Sequence, residues 1–447
     1  MTNNLEDICK KASEIIFSYP KDTNIRVVSH YDADGISAAA IISKALYNAG
    51  FDFHTTLMRN PFDKGLKRIS EEENELIIFT DMGSGQIETI EKMKSQSIII
   101  DHHQPIKNKT KDNVLQINCN YFGINGNYEA CGASLSLSVA YSINQENINL
   151  SPLSIVGATG DKQYIGGFKG YNQNIINQAI KQGIITEKTG IKFTSLTIFD
   201  SLFYSTDPYY SGISGNKNNI ENLLDSLGID KKINIEDLTN ENLRKIHSYL
   251  MLNLIQKGCE KNILDTIIRT RYYSENIDFE FERYADLLDA CGKGGNRGLA
   301  LSLALGDKKI ISEALKVEKD YKQKILYELI KLEKNGLKEK ENFRFFYSDD
   351  SSLGGVIGGI ATNFIIDIQK PLISIARKDD EIHISCRGNQ YLVSKGLDLG
   401  YAMKEASSKL GGHGGGHAIS SGATIASEKE EEFLNLVDEI INKQIRK

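Results

Sequence analysis

The chain has 447 residues, enough for two or three domains with real cores, and its 40% hydrophobic and 25% charged residues are those of an ordinary folded protein. A formal net charge of −6 lacks the basic excess of a passive nucleic-acid coater, but is compatible with an enzyme whose carboxylates bind cations. Six scattered cysteines without a Cys-x-x-Cys pair point to reduced thiols, and there is no apolar run near the roughly 18 residues of a membrane span and no signal-peptide core, so the expectation is a cytoplasmic protein with no membrane contact.

The first 160 residues alternate short β-branched runs with amphipathic stretches, the pattern of a parallel sheet flanked by helices. Strands are expected at Ile25–Val28, Leu76–Phe79, Ile98–Ile100 and Val114–Ile117, with helices over 35–48, 86–93 and 132–143. From about Asn172 to Asp278 the pattern turns mainly helical. A long amphipathic stretch from Ile310 to Leu332 stops at Asn335-Gly336. Beyond it, FRFFYS, PLISIAR and EIHISCR read as strands, with a hairpin turn at Lys378-Asp379-Asp380, and 354–367, 397–410 and 428–444 read as helices. The expected fold is therefore α/β: an N-terminal parallel-sheet domain over 1–190, a helical middle region over 191–309, a connecting helix over 310–336 and a smaller C-terminal α/β domain over 337–447.

Acidic residues and histidines gather at the strand ends. His30, Asp32 and Asp34 in SHYDADG follow the first strand, Asp81 follows the second, Asp101-His102-His103 follow the third, and Asp161 follows an apolar helical stretch. In an open parallel sheet such ends converge on one crevice. Oxygen and nitrogen donors without thiolate suit hard or borderline divalent ions, manganese or magnesium, and a pair of them supports phosphoester hydrolysis. Near the C-terminus, Gly411-Gly412-His413-Gly414-Gly415-Gly416-His417 precedes a strand in AISSGATI. Consecutive glycines let backbone N–H groups approach an anion closely, so this run is a candidate phosphate site as well as a candidate flexible turn.

SHYDADGISAA, TDMGSG, DHHQP and GATGD resemble, in order, the four motifs of the DHH phosphoesterase superfamily. The resemblance implies that His30, Asp32 and Asp81 hold one metal ion and that Asp34, Asp81, His102 and Asp161 hold the other, with Asp81 as the bridge. It implies that His103 faces the scissile phosphate as transition-state stabiliser or proton donor, with Asp101 as a further catalytic candidate. GGGHAISSGATI, following Arg387 in SCRGN, resembles the DHH-associated C-terminal module. That implies substrate contacts from Arg387, His413, Gly414, Gly415, Gly416 and His417, although Ala-Ile stands here where many relatives have Pro-x.

DPYYSGISGN, LGIDKKINIEDLTNENLRK and YADLLDACGKGGNRGLALSLALGD resemble the body of archaeal RecJ-like single-strand nucleases, so the likeness spans nearly the whole chain. The implied activity is a manganese-dependent exonuclease on single-stranded DNA or RNA, with two bound divalent cations. The alternatives are an oligonuclease or small-nucleotide phosphodiesterase of the same superfamily, and a replication-fork scaffold; the family also implies the GINS replication complex as a partner. Phe203, Tyr204, Tyr209 and Tyr210 are candidates for base stacking or for core packing, and Lys293 and Arg297 for backbone-phosphate contacts across a domain gap.

Overall fold

The fold follows from a computed structural model that describes residues 4–59, 64–106, 109–193, 195–367 and 369–445. The chain divides into two compact units, Met1–Lys192 with Ile268–Lys319, and Phe193–Ile267 with Asp320–Lys447. The chain passes between the units at 192/193, within two residues of the boundary expected at 190, and again at 267/268 and 319/320, where boundaries were expected at 309 and 336. Among the described residues no helix is long and apolar enough to cross a membrane.

The first unit is built on five parallel strands, β1 (Ile25–His30), β2 (Phe53–Met58), β3 (Leu76–Thr80), β4 (Gln96–Asp101) and β5 (Val114–Asn118), in the order β2-β1-β3-β4-β5. Strand alternation sorts their side chains into two cores. Ile25, Val27, Leu76, Ile78, Ile98 and Ile100 face the helices Ala33–Asn48 and Gly132–Ile143, while Val28, Ile77, Phe79 and Ile99 face Leu66, Ile69, Ile87 and Ile90 on the other side. Burial on both faces explains why these strands read as continuous apolar runs. β2 escaped the sequence reading because FHTTLM is an edge strand, only partly buried and without such a run. The order reverses at β1, which has β2 on one side and β3 on the other; that switch point is where open α/β sheets bind ligands.

The region from about Asn172 to Asp278, read as mainly helical, also contains both strands of a two-stranded antiparallel sheet. β6 (Thr186–Ile191) pairs with β7 (Ile268–Tyr273) across some eighty residues of chain, and the polar sequence TEKTGI carries no apolar periodicity that would announce it. The stretch expected as a helix over 86–93 is a 3-10 turn followed by the single helical turn Ile87–Ile90. A continuous helix covers Ile311–Asn335.

In the second unit, β8 (Lys338–Glu339), β9 (Arg344–Tyr347), β10 (Leu372–Lys378), β11 (Glu381–Arg387), β12 (His413–Gly416) and β13 (Ser420–Ala426) form one sheet in the order β12-β13-β11-β10-β9-β8. The β10–β11 hairpin turns through Asp379 at a φ of 54°, a left-handed conformation that Asp tolerates. One sheet face packs Ile373, Ile375, Ile382, Ile384 and Ile425 against Met403, Phe433 and Val437. The same unit buries Tyr209 completely and Tyr210 to 3%, with the Tyr209 hydroxyl donating to Glu333, so these two rings are core and not stacking platforms. Phe203 and Tyr204 are half-buried, edge to face against each other.

Candidate metal centre and phosphate face

The helix Ala33–Asn48 starts directly on the end of β1. Asp32 is its N-cap and accepts from the Gly35 amide at 3.1 Å, and a Cβ at Gly35 would lie 2.4 Å from the His30 carbonyl oxygen. The tight start turns Asp34 inward to 1% exposure, where the amides of Gly132 and Ala133, opening the helix Gly132–Ile143, donate to its two oxygens at 2.7 and 2.9 Å. A helix N-terminus is suited to holding such a carboxylate. Asp81 leaves β3 with a φ of 55°, and Asp161 caps the C-terminus of the helix Ser151–Gly160.

Three groups of side chains converge with their ligating atoms within 4.8 Å of one another: His30, Asp32 and Asp81; Asp34, His102 and Asp161; and Asp81, His102 and His103. His102 Nε2 stands 3.2 Å from Asp81, 3.4 Å from Asp161 and 3.8 Å from Asp34. His102 Nδ1 lies 2.6 Å from the Gly126 carbonyl. Because a carbonyl only accepts, Nδ1 carries a proton here, and this hydrogen bond fixes the ring with Nε2 facing the carboxylates. His30 Nδ1 lies 2.8 Å from Asp32 and 3.8 Å from Asp81.

Burial, together with Asp34 and Asp32, pushes the Asp81 carboxyl well above the usual range, and burial with Asp34 raises Asp161. Burial opposes charge on His102, yet Asp161, Asp34 and Asp101 outweigh it and raise its pKa to about 9. Asp81 Oδ1 and Asp161 Oδ2 are buried oxygens with no hydrogen-bond partner among the described residues. Crowded carboxylates with orphaned oxygens are costly without a counter-charge, and oxygen and imidazole donors are what manganese or magnesium takes, so the donor set fits divalent cations.

Asp101 lies apart from these groups. It is 1% exposed, accepts from the Ser84 amide at 2.9 Å and from His103 Nδ1 at 2.7 Å, and so orients His103. Burial opposes charge on His103, but Asp101 and its hydrogen bond raise its pKa to about 9, leaving a half-exposed imidazolium beside the cluster. Asn118 and Asn120 hold the backbone of the same turn by donating to the carbonyls of His103 and His102 at 2.8 and 2.9 Å. The sequence reading passed over both asparagines, although their place at the end of β5 aligns them with the other strand ends.

The run at 289–297 lies within the first unit, against the segment that follows β1. Asp289 accepts from the Ala33 amide at 2.7 Å and from Lys293, and a Cβ at Gly292 would lie 2.0 Å from the Tyr31 carbonyl oxygen. Burial would raise Asp32, but His30 and Lys293, with the Gly35 amide, hold it below its usual range. The Arg297 guanidinium lies 5.6 Å from the centre of the Tyr31 ring.

In the second unit, pairing registers β11 and β12 through β13. His413 and Gly415 sit opposite Thr424 and Gly422, which in turn sit opposite His383 and Ser385, so these residues share the sheet face of Arg387. Gly414 faces the other way: a Cβ there would lie 2.8 Å from the Met403 carbonyl oxygen and 2.9 Å from Ala423, so it permits close packing of the helix Leu399–Lys409 and is not on the open face. Gly416 has a φ of 139° beside Ser421, and the His417 amide is used in the turn to Ser420 at 2.8 Å. The glycine run is thus mostly strand, not a loose loop. Arg387 lies along the helix Gly354–Phe364, where a Cβ at Gly355 would come within 2.7 Å of its guanidinium and one at Gly358 within 3.3 Å of its stem. The GGVIGG spacing was the signal for this seat.

Family models match at three places: the DHH family N-terminal domain at residues 24–157, archaeal Cdc45 at 134–296 and the DHHA1 domain at 342–443. The chain is 31% identical over 431 residues to the uncharacterized protein MJ0831 of Methanocaldococcus jannaschii, covering 95% of this chain and 94% of that one. Its fold is similar to that of exonuclease RecJ bound to manganese, with a TM-score of 0.62, 14% identity and coverage of 97% of this chain and 94% of that chain. It is similar also to CDC45 from Entamoeba histolytica, with a TM-score of 0.66, 13% identity and coverage of 97% and 99%. At such identities the two likenesses are of fold alone. The strand-end motifs, the two matched domains and the end-to-end relative lead to one conclusion: the chain belongs to the DHH phosphoesterase superfamily, as a RecJ-like member with a C-terminal DHHA1 domain.

Proposed function

We propose that the protein is a divalent-cation-dependent phosphodiesterase, a RecJ-like exonuclease that hydrolyses single-stranded DNA or RNA from an end in the cytoplasm. The observation that carries this reading is the set of buried carboxylate oxygens of Asp81 and Asp161, left without hydrogen-bond partners beside Asp34 and His102. His30, Asp32 and Asp81 would hold one ion, and Asp34, Asp81, His102 and Asp161 the second, manganese being preferred. Bound there, two such ions would supply Lewis-acid polarisation of a phosphoryl oxygen and lower the pKa of the attacking water.

The remaining work belongs to the chain's own groups. His103, charged and held by Asp101, donates a hydrogen bond to the phosphoryl oxygens and a proton to the leaving oxygen. Lys293, next to His30 and Asp32, and Arg297, beside Tyr31, extend positive charge from the cluster along the strand's backbone. Arg387, His413 and Gly415 form a phosphate-binding face, with Gly416 and His417 shaping the turn beside it. The test is a time course with 5′- and 3′-labelled single strands, DNA and RNA, with manganese or chelator, alongside Asp81→Asn. Metal-dependent shortening from one end, lost in the variant, is expected; turnover of dinucleotides only would move the protein to the small-substrate class.

A replication-fork role with GINS is supported by the archaeal Cdc45 match at 134–296. It is compatible with catalysis, because a scaffold alone has no use for the repulsive carboxylate cluster. Retention of GINS by the Asp81→Asn protein would make binding and hydrolysis separable.

A further inference from the structure

Gln163 lies two residues beyond Asp161 and is 3% exposed. Its amide is fully engaged: Nε2 donates to the carbonyls of Gly126 at 3.0 Å and Ala130 at 2.9 Å, and Oε1 accepts from Asn172 Nδ2 at 2.5 Å. Both carbonyls belong to the segment that serves the carboxylate cluster. Gly126 O is also the acceptor that fixes the His102 ring at 2.6 Å. Ala130 immediately precedes Cys131-Gly132-Ala133, whose last two amides hold Asp34. The segment 126–133 therefore presents an acceptor to one donor residue at its start and two amides to another at its end, and Gln163 pins it at that same starting carbonyl and again at Ala130.

The segment has little slack. A Cβ at Gly126 would lie 2.0 Å from the His102 carbonyl oxygen, and the Asn172 amide donates to the Glu129 carbonyl at 2.8 Å, tying the same segment again. Asp161 is joined to Gln163 through Lys162, whose φ of 57° turns the chain sharply. Asp34, His102 and Asp161 thus reach the cluster from three parts of the sequence and are all tied to one buried amide.

We propose that Gln163 is a positioning residue for a buried divalent-cation subsite made by Asp34, Asp81, His102 and Asp161, holding three of the four donors in register without touching the ion. The proposal rests on the reading of the cluster as a cation site and adds that ion affinity, and not fold stability alone, depends on this amide. Polar partners behind metal ligands commonly set ligand orientation and basicity.

The test is titration of the full chain with Mn2+ by calorimetry, for the wild type, Gln163→Met and Asn172→Ala, with thermal unfolding in chelator and nitrogen-15 spectra of the His102 ring. Methionine keeps the length of the side chain and removes the amide. The expected result is that Gln163→Met weakens one bound ion by about 10–100-fold and shifts the His102 Nδ1 proton resonance, while Asn172→Ala, which frees the Gln163 amide to reorient, weakens it by less than about tenfold. A folded Gln163→Met protein that binds both ions as the wild type does, with an unchanged His102 resonance, overturns the proposal. Should Gln163→Met not fold, Asn172→Ala decides by the same two readouts. A wild type that takes up no Mn2+ overturns the cation-site reading itself, whereas a wild type that binds alongside variants that bind equally overturns the role of Gln163 alone.

Discussion

The polar residues of the two units are held in opposite ways. Around the carboxylate cluster, position is imposed by partners: Asp34 takes two helix amides, His102 a carbonyl, and Asp101 an amide and an imidazole, all at or below 10% side-chain exposure. On the face of the C-terminal sheet, position is imposed by missing side chains: Arg387 lies in a seat cleared by Gly355 and Gly358, and Gly415 has open space where a Cβ would stand. Buried like charges demand a compensating partner for almost every atom, whereas a face that would bind phosphate, as proposed for this one, needs donors and room. Damage to the first region is therefore expected to be abrupt, and damage to the second graded.

The sharpest contrast comes from Asp81→Asn, which alters a residue shared by two of the three donor groups. It is expected to abolish tight Mn2+ uptake and lower strand hydrolysis by more than about 100-fold, exceeding the effect usual for residues behind metal ligands; two tightly held ions in the variant would remove the bridging role. A matched pair of glycine changes comes next. In Gly157→Ala the new Cβ would meet Asp34 Oδ1 at 2.4 Å and the Ala133 Cβ at 2.5 Å, and such overpacking is expected to cost about 1–3 kcal/mol, read in thermal or denaturant unfolding. In Gly355→Ala the new atom meets the flexible end of Arg387, so stability should hold while affinity for single strands falls, as measured by fluorescence anisotropy.

Arg387→Ala is expected to lower the salt dependence of strand binding by about one counter-ion and leave Mn2+ affinity untouched. A change in Mn2+ affinity there would break the separation of the two regions.

The smallest effect concerns acid. Burial alone would raise Glu282, but Lys192, Arg269 and Arg271 hold it well below its ordinary value of 4.5. A depressed carboxyl contributes stability that is present above the unfolded value and lost as pH falls towards the folded one. The thermal midpoint of the wild type should therefore drop more between pH 7 and pH 4 than that of Glu282→Gln, which starts lower because it leaves three cations around a neutral amide.

Much of this was legible in the residues. The runs at Ile25, Leu76, Ile98 and Val114 are strands because burial on both sheet faces leaves an unbroken apolar signature, and the acidic motifs are visible because they stand directly after those runs. β2 and the β6–β7 pair left no such trace, being edge or polar strands whose partners lie elsewhere in the chain. Tyr209 and Tyr210 look the same in sequence whether they stack on bases or lie buried in a core.

By itself, the sequence determined the α/β class, the motifs at the strand ends and the glycine-rich approach near the C-terminus, because each depends on residues a few positions apart. Only the tertiary structure decided that Asp101 supports His103 while Asp81 joins the carboxylate cluster, that Gly414 packs inward, and that Gln163 is bonded to the carbonyls of Gly126 and Ala130. It alone brought Asp289 to the amide of Ala33, 256 residues away, and Ala133 to Asp34 at a separation of 99. Contacts at such distances along the chain follow from the packing of helices on the sheet, and no local pattern encodes them.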